Sequence, residues 1–431
     1  METKQKQIYG IMLFYSLAAL VTAALCGDPA GTLEGFWNIL SSPAQLTIDY
    51  FKLGGVGGTF LNVGLTGLSC VAVFALSRFA VNGLSLMSFF LTIGFSFFGM
   101  NLLNIWPCIL GTWLFTRVVK LPFKSQVNIA IFSTALSPFV SEGMWRHAAV
   151  EPSLLSVLFG VALGVAGGFL MPILAQHGPN LHKGYSLYNA AAVAGFIGVL
   201  LFALLFRATG FDIPSNTDLG GSHALVVNAY TVSTSLVCLL AGLLLDRRAL
   251  RGFFHLLTRS SAFRCDFTNS YNVPVTLMNI GSFGLFVTAY YNLIGAEMTG
   301  PTAGSIVCLL AVTACGTHIL NMIPMMLGYA LATTFCAFDL TTQAIVVGLC
   351  FSAALSPIPS RFGSVSGVVA GLLHAVLVTT VVTFHGGFCL YNGGFTAGIT
   401  AILLVPVLEF FLEPSETPSL FPTLKKQGPR A

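Results

Sequence analysis

Charge is what this chain has least of. Asp, Glu, Lys and Arg together supply 8% of its 431 residues, against about 25% in an ordinary soluble protein, too little to coat a water-soluble core. No Asp or Glu falls in the middle of a long apolar run, with Glu142, Arg146 and Glu151 grouped at an expected membrane edge. That argues against a proton pump built on a buried carboxylate. The ten cysteines are scattered and form no Cys-x-x-Cys pair. They read as small reduced hydrophobes, so neither disulfides nor a metal site is expected, and no cofactor is called for. Lys and Arg sit in loops without interleaved aromatics, which excludes a nucleic-acid surface. What is present is hydrophobic side chain, 55% of the whole. The expected class is an all-α polytopic membrane protein.

Divided at charged and Gly/Pro-rich joints, the apolar runs give about 14 transmembrane segments. The run Ile8–Cys26 is long enough to span a bilayer and lacks an Ala-x-Ala-like end, so it reads as an uncleaved first span. The expected organisation is a first span and outer loop (1–50), a repeat (51–222), a connecting span with a basic connector (223–270), a second repeat (271–411) and a disordered cytoplasmic tail (412–431). The segments at 127–140 and 341–357 are short, and each carries Ser-Pro. They read as broken or re-entrant helices.

The repeat rests on four windows that recur in order. Gly99–Gly111 (GMNLLNIWPCILG) matches Gly316–Gly328 (GTHILNMIPMMLG) without a gap at an offset of 217 (316 − 99), with six identities in thirteen positions. Thr59–Leu68 matches Thr276–Leu285 at the same offset. Ala135–Pro138 recurs as Ala354–Pro357, offset 219 (354 − 135), and His182–Asn189 recurs as His385–Asn392, offset 203 (385 − 182). Matched Asn, Pro, Gly and His positions are the mark of duplication. If every segment crosses once, about seven spans separate the copies, so the repeats are inverted. In that count all Lys and Arg but Lys52, Arg146 and Arg207 fall on one side, which is then cytoplasmic and holds both termini.

Inverted-repeat transporters place their solute near the membrane midplane, where broken helices expose backbone. Asn104 and Pro107, with their copies Asn321 and Pro324, are the first candidates, expected to face each other across the midplane. The plainer reading is a proline kink patched by Asn. Ser137-Pro138 and Ser356-Pro357 form a second pair. Asn62 and Asn279 suit interhelical packing better than coordination. Tyr188-Asn189 and Tyr391-Asn392 suit helix capping and the interfacial belt. Asn101 is matched by His318, and an intramembrane His is a functional candidate by default; His374 has no matched partner.

Asn104-x-x-Pro107 and Tyr188-Asn189, with their copies, resemble an uncharacterised family of duplicated bacterial membrane proteins known as a domain of unknown function. The resemblance would cover nearly the whole chain and implies a bacterial cytoplasmic membrane location, but no activity. Asn62-x-x-x-Thr66-Gly67 and Tyr188-Asn189 are also similar to motifs of urea channels, with Val63 and Phe283 where those channels carry Pro and Thr. That analogy implies a channel-like pathway between two halves. The expected function is a permease for a small neutral or weakly polar solute, with that solute and the lipid bilayer as partners. A homo-oligomer stays open, as do a membrane-embedded enzyme acting on a lipid-linked substrate, centred on Glu142, Arg146, His147 and Glu151, and a non-catalytic subunit of a membrane complex.

Overall fold

The computed structural model describes residues 2–43, 48–145, 153–208, 220–259 and 265–425. Arg146, His147 and Glu151 lie outside the described residues, whereas Glu142 sits inside a helix and is buried. The first half contains α1 (Glu2–Cys26), α2 (Pro29–Leu40), α3 (Tyr50–Leu76), α4 (Gly83–Phe95), α5 (Ile105–Val118), α6 (Val127–Ser133), α7 (Ser137–Trp145), α8 (Leu154–Ala175), α9 (Gly178–Leu181) and α10 (Asn189–Phe202). The second contains α11 (Ala224–Leu245), α12 (Ala249–Leu257), α13 (Phe267–Ser270), α14 (Val273–Leu293), α15 (Gly300–Leu309), α16 (Ile319–Ala332), α17 (Gln343–Ser352), α18 (Pro357–Phe362), α19 (Ser364–Val381) and α20 (Asn392–Phe411).

Among the described residues, eight helices are long and apolar enough to cross a membrane: α1, α3, α8, α10 with its π-turn, α11, α14, α19 with its last turn, and α20. The protein is an all-α polytopic membrane protein. The other apolar helices are shorter, Gly83–Phe95 and Ile319–Ala332 among them. Hydropathy cannot tell a long span from two short helices joined end to end, so the expected count is coarser than the structure. The Ser-Pro segments show why. In each, a 3-10 turn (Thr134–Leu136, Ala353–Leu355) joins two short helices just before the proline, which cannot donate to the preceding turn.

The halves repeat each other in contacts as well as in element order. α1 lies against α3 and α11 against α14. The Ser16 hydroxyl occupies the space beside Gly67, just as that of Ser235 does beside Gly284. α4 and α15 pack directly on each other and run antiparallel. At one end Gly83 meets Asp266 and the carbonyl of Ala314; at the other Gly300 meets Asp49 and the carbonyl of Phe97. Between these ends Gly94 and Gly304 bring the two backbones together: a Cβ on Gly304 would stand 2.3 Å from the Gly94 carbonyl oxygen.

The stretch after α20 departs from the expected disorder as far as residue 425. Leu412–Glu413 pairs antiparallel with Thr423–Leu424. Gly363, at φ 86°, separates α18 from α19 and leaves helix-end groups without partners. The tail supplies them: Ser364 N–H donates to Ser419 O at 2.9 Å, and Ser415 N–H donates to Arg361 O at 2.7 Å.

Candidate functional site

The paired asparagines hold broken helices together. Asn62, on α3, donates from Nδ2 to the carbonyls of Ser96 (2.8 Å) and Met100 (3.0 Å), just past the end of α4. Asn279, on α14, donates to Thr313 and Thr317, both at 2.8 Å. Each side chain satisfies two carbonyls that a helix end leaves without partners. The Asn62 Oδ1 also accepts from Leu102 N–H at 3.1 Å, whereas the Asn279 Oδ1 has no partner among the described residues.

Asn104 and Asn321 do the same one segment later. Asn104 Nδ2 donates to Gly99 O and to Ser141 Oγ, both at 2.9 Å, while its Oδ1 accepts the Asn101 N–H at 2.9 Å. Asn321 repeats the set with Gly316 O (3.1 Å), Ser360 Oγ (3.4 Å) and the His318 N–H (2.9 Å). Asn101 Oδ1 accepts the N–H groups of Leu103 and Asn104, holding the turn that leads into α5. Pro107 falls in the first turn of α5, where its missing N–H costs nothing, while Pro324 lies one turn inside α16. Two different grooves receive these motifs. Pro107 lines one of ≈ 640 Å³ with Leu103 and Trp106; Asn321 and Pro324 line another of ≈ 470 Å³, which the tail residues Pro418–Leu420 partly wall. The grooves share no residue, so the structure does not bring the two motifs to one site.

Of the remaining candidates, Ser356 Oγ lies 2.9 Å from Thr317 Oγ1, and Ser137 Oγ is buried without a partner among the described residues. Pro138 and Pro357 open α7 and α18 beside them. His318 Nε2 lies 3.3 Å from Arg259 O. His374 bridges three helices, with Nδ1 2.6 Å from Tyr329 Oη and Nε2 2.9 Å from Gly393 O. His182 lies in a loop, where its Nδ1 accepts the Ser186 N–H at 3.3 Å and burial pushes it down to about 4. It is neutral at pH 7 and shapes the loop.

The Tyr-Asn motifs do meet. Leu187 N–H donates to Ala354 O at 2.9 Å, and its copy Leu390 N–H donates to Ala135 O at 3.1 Å. Each half therefore docks the turn before its last helix onto the other half's 3-10 break. The rings follow. Tyr188 packs on Phe351 with centroids 5.6 Å apart, and Tyr391 packs on Phe132 at 6.4 Å. Phe132 and Phe351 are themselves copies, at the offset of 219 (351 − 132). The Cys308 Sγ lies 3.7 Å from the carbonyl of Leu91, its own counterpart at offset 217 (308 − 91). Contacts that exchange i with j between copies, together with a position that touches its own copy, are the signature of a two-fold interface.

A cavity of ≈ 360 Å³ opens at this interface, walled by Met87, Leu91, Ile129 and Phe132 from one half and by Cys265, Asp266, Cys315 and Tyr391 from the other. Tyr188 and Asn189 also line it. The Tyr391 hydroxyl is buried and has no partner among the described residues, as is the case for Asn189 Oδ1. Asp266, at one edge, is engaged by the N–H groups of Gly83 (3.3 Å) and Thr268 (2.9 Å). Asn82 adds a second amide, and the remaining walls are mostly apolar.

The model of the family described as a protein of unknown function, DUF1576, matches residues 28–207 and 245–410. The chain belongs to that family. No curated protein and no solved structure matches it. The matched segments of this DUF1576 member contain both copies of every motif above. Sequence reasoning missed Asp49, Asp266, Phe132, Phe351 and Cys308. Asp49 and Asp266 stand at the established offset of 217 (266 − 49), so extending the second window backwards would have found them.

Proposed function

We propose that this DUF1576 protein is a membrane transporter for a small neutral or weakly polar solute, with its pathway between two inverted repeats. The observation that carries this reading is the interface cavity, to which both halves contribute and which Tyr391 lines, its hydroxyl buried without a partner among the described residues. Inverted topology is supported by the antiparallel course of α4 and α15: a two-fold axis that exchanges antiparallel helices lies across them, hence in the plane of the membrane. We take α1 and α11 as equivalent spans, so that each repeat begins with its first long helix. The Asp266 end, where Lys4 reaches Asn269, Arg247 and Arg248 precede α12 and Arg251 lies within it, is assigned to the cytoplasm of a bacterium.

The cavity is mostly apolar, with the Tyr391 phenol, the amides of Asn82 and Asn189, and Asp266 already engaged by the N–H groups of Gly83 and Thr268. This lining suits an uncharged solute that accepts one hydrogen bond, because the one carboxylate there is already held by the backbone. In proteoliposomes the protein should speed the uptake of one or more such solutes over empty vesicles. Tyr391→Phe should reduce that uptake about tenfold, the worth of a hydrogen bond inside a dry site, without lowering the yield of folded protein. Unchanged uptake in the variant would remove Tyr391 from the pathway, and no uptake of any neutral solute would defeat the reading.

A further inference from the structure

The interface cavity has a counterpart of very different size. Its lining residues Ile129, Ala175, Asn189 and Ala190 correspond, at offsets of 219 (348 − 129) and 203 (378 − 175), to Gly348, Val378, Asn392 and Gly393. Those four line a second cavity, of ≈ 90 Å³ against ≈ 360 Å³ for the first. Side-chain volume does not explain the difference. Glycine replaces Ile129 and Ala190, which would enlarge the smaller cavity by more than Val378 in place of Ala175 and Val382 in place of Pro179 (offset 203, 382 − 179) would reduce it. The helices around Asn392 are therefore drawn closer together than those around Asn189.

Hydrogen bonds hold the smaller cavity shut. Gln343, at the start of α17, accepts from Thr299 Oγ1 at 2.9 Å and donates to Thr302 Oγ1 at 3.4 Å, tying α17 to α15. The counterparts of Gln343, Thr299 and Thr302 are Lys124, Asn82 and Ser85. At that end Lys124 is exposed, and Asn82 lines the open cavity while capping its own helix through Ser85 at 3.2 Å. His374 adds a second tie around the small cavity, linking Tyr329 to the carbonyl of Gly393. Its counterpart, Met171, has no such donor or acceptor pair.

We infer that the two halves exchange conformations: the cavity beside Asn392 opens as the one beside Asn189 closes, making the protein an alternating-access carrier caught open at the Asp266 end. This rests on the transport reading above. Two halves with one fold and two packings supply both states, and a small free-energy difference sets their populations.

Thiol reactivity tests the exchange without any solute. Cys315 lines the large cavity, and Val382 lines the small one. The full-length protein carrying Val382→Cys is reacted with N-ethylmaleimide in liposomes, and each site is quantified by peptide mass spectrometry. Cys315 should react faster than the introduced thiol. Adding Gln343→Ala should then slow Cys315 and speed the introduced thiol, each about threefold or more, the shift that one lost hydrogen bond supports. Rates that rise together indicate a continuous pore and overturn the proposal, as do rates that do not move. If Gln343→Ala fails to fold, Gln343→Lys, which copies the residue at the open end, is read in the same way. Opposed rate changes without flux of any solute would reject the transport reading and leave the exchange standing.

Discussion

Asp49 Oδ1 accepts the backbone N–H of Gly300 at 3.0 Å, across the boundary between the halves. The copy of this contact, Asp266 to the N–H of Gly83, is present at 3.3 Å. Each carboxylate meets the start of the other half's short helix, where the positive end of the helix dipole favours it. One swapped pair thus stitches both ends of the α4–α15 contact.

Burial pushes the Asp49 carboxyl above its usual 3.8, opposed in part by the N–H groups of Phe51, Gly220 and Gly300. The folded state then holds a proton on Asp49 more readily than the unfolded chain does. Its contribution to stability is complete below the usual value and is lost as pH rises through the raised one. Asp49→Asn should remove this loss. Melting midpoints in detergent, measured from pH 3.8 upward, should fall less steeply for the variant, and a steeper fall would contradict the assignment.

Asn62→Ala and Asn279→Ala each strand two buried carbonyls, at a cost of about 1–3 kcal/mol. Asn62 also serves the N–H of Leu102, while the Asn279 Oδ1 serves no described group. The Asn62 variant should therefore be the less stable, by about 1 kcal/mol. Denaturation in matched detergent would show this, and equal losses would argue against it.

Asn104→Ala with Asn321→Ala should lower stability by about 2–4 kcal/mol in all. The alkylation rate of Cys315 in the interface cavity should stay unchanged, because neither Asn lines that cavity. A selective change in Cys315 reactivity at unaltered stability would return these residues to the pathway.

Gly304→Ala sets a methyl 2.3 Å from the Gly94 carbonyl, a backbone atom that cannot turn aside. A loss of about 3 kcal/mol or more is expected, as for overpacking against a rigid neighbour. Gly221→Ala, where a Cβ meets nothing within 4 Å, is the control. Comparable yields and melting points for both would show that the α4–α15 contact is loose.

The membrane class, the duplication and the list of duplicated residues were all legible in the sequence. Each follows from composition or from matches along the chain, and neither needs to know what touches what. The role of each residue was not legible. Asn104 and Tyr188 look alike as polar residues recurring beside apolar runs, yet one spends its hydrogen bonds on its own half and the other reaches across to Phe351. Likewise, 412–425 is polar and proline-rich, and what orders it is its own strand pair together with the groups left open at Gly363. The sequence by itself determined that this chain lives in lipid and was built from one unit used twice. Tertiary structure alone decided which copies meet, because hydrogen bonds across the interface depend on how the two halves are turned against each other.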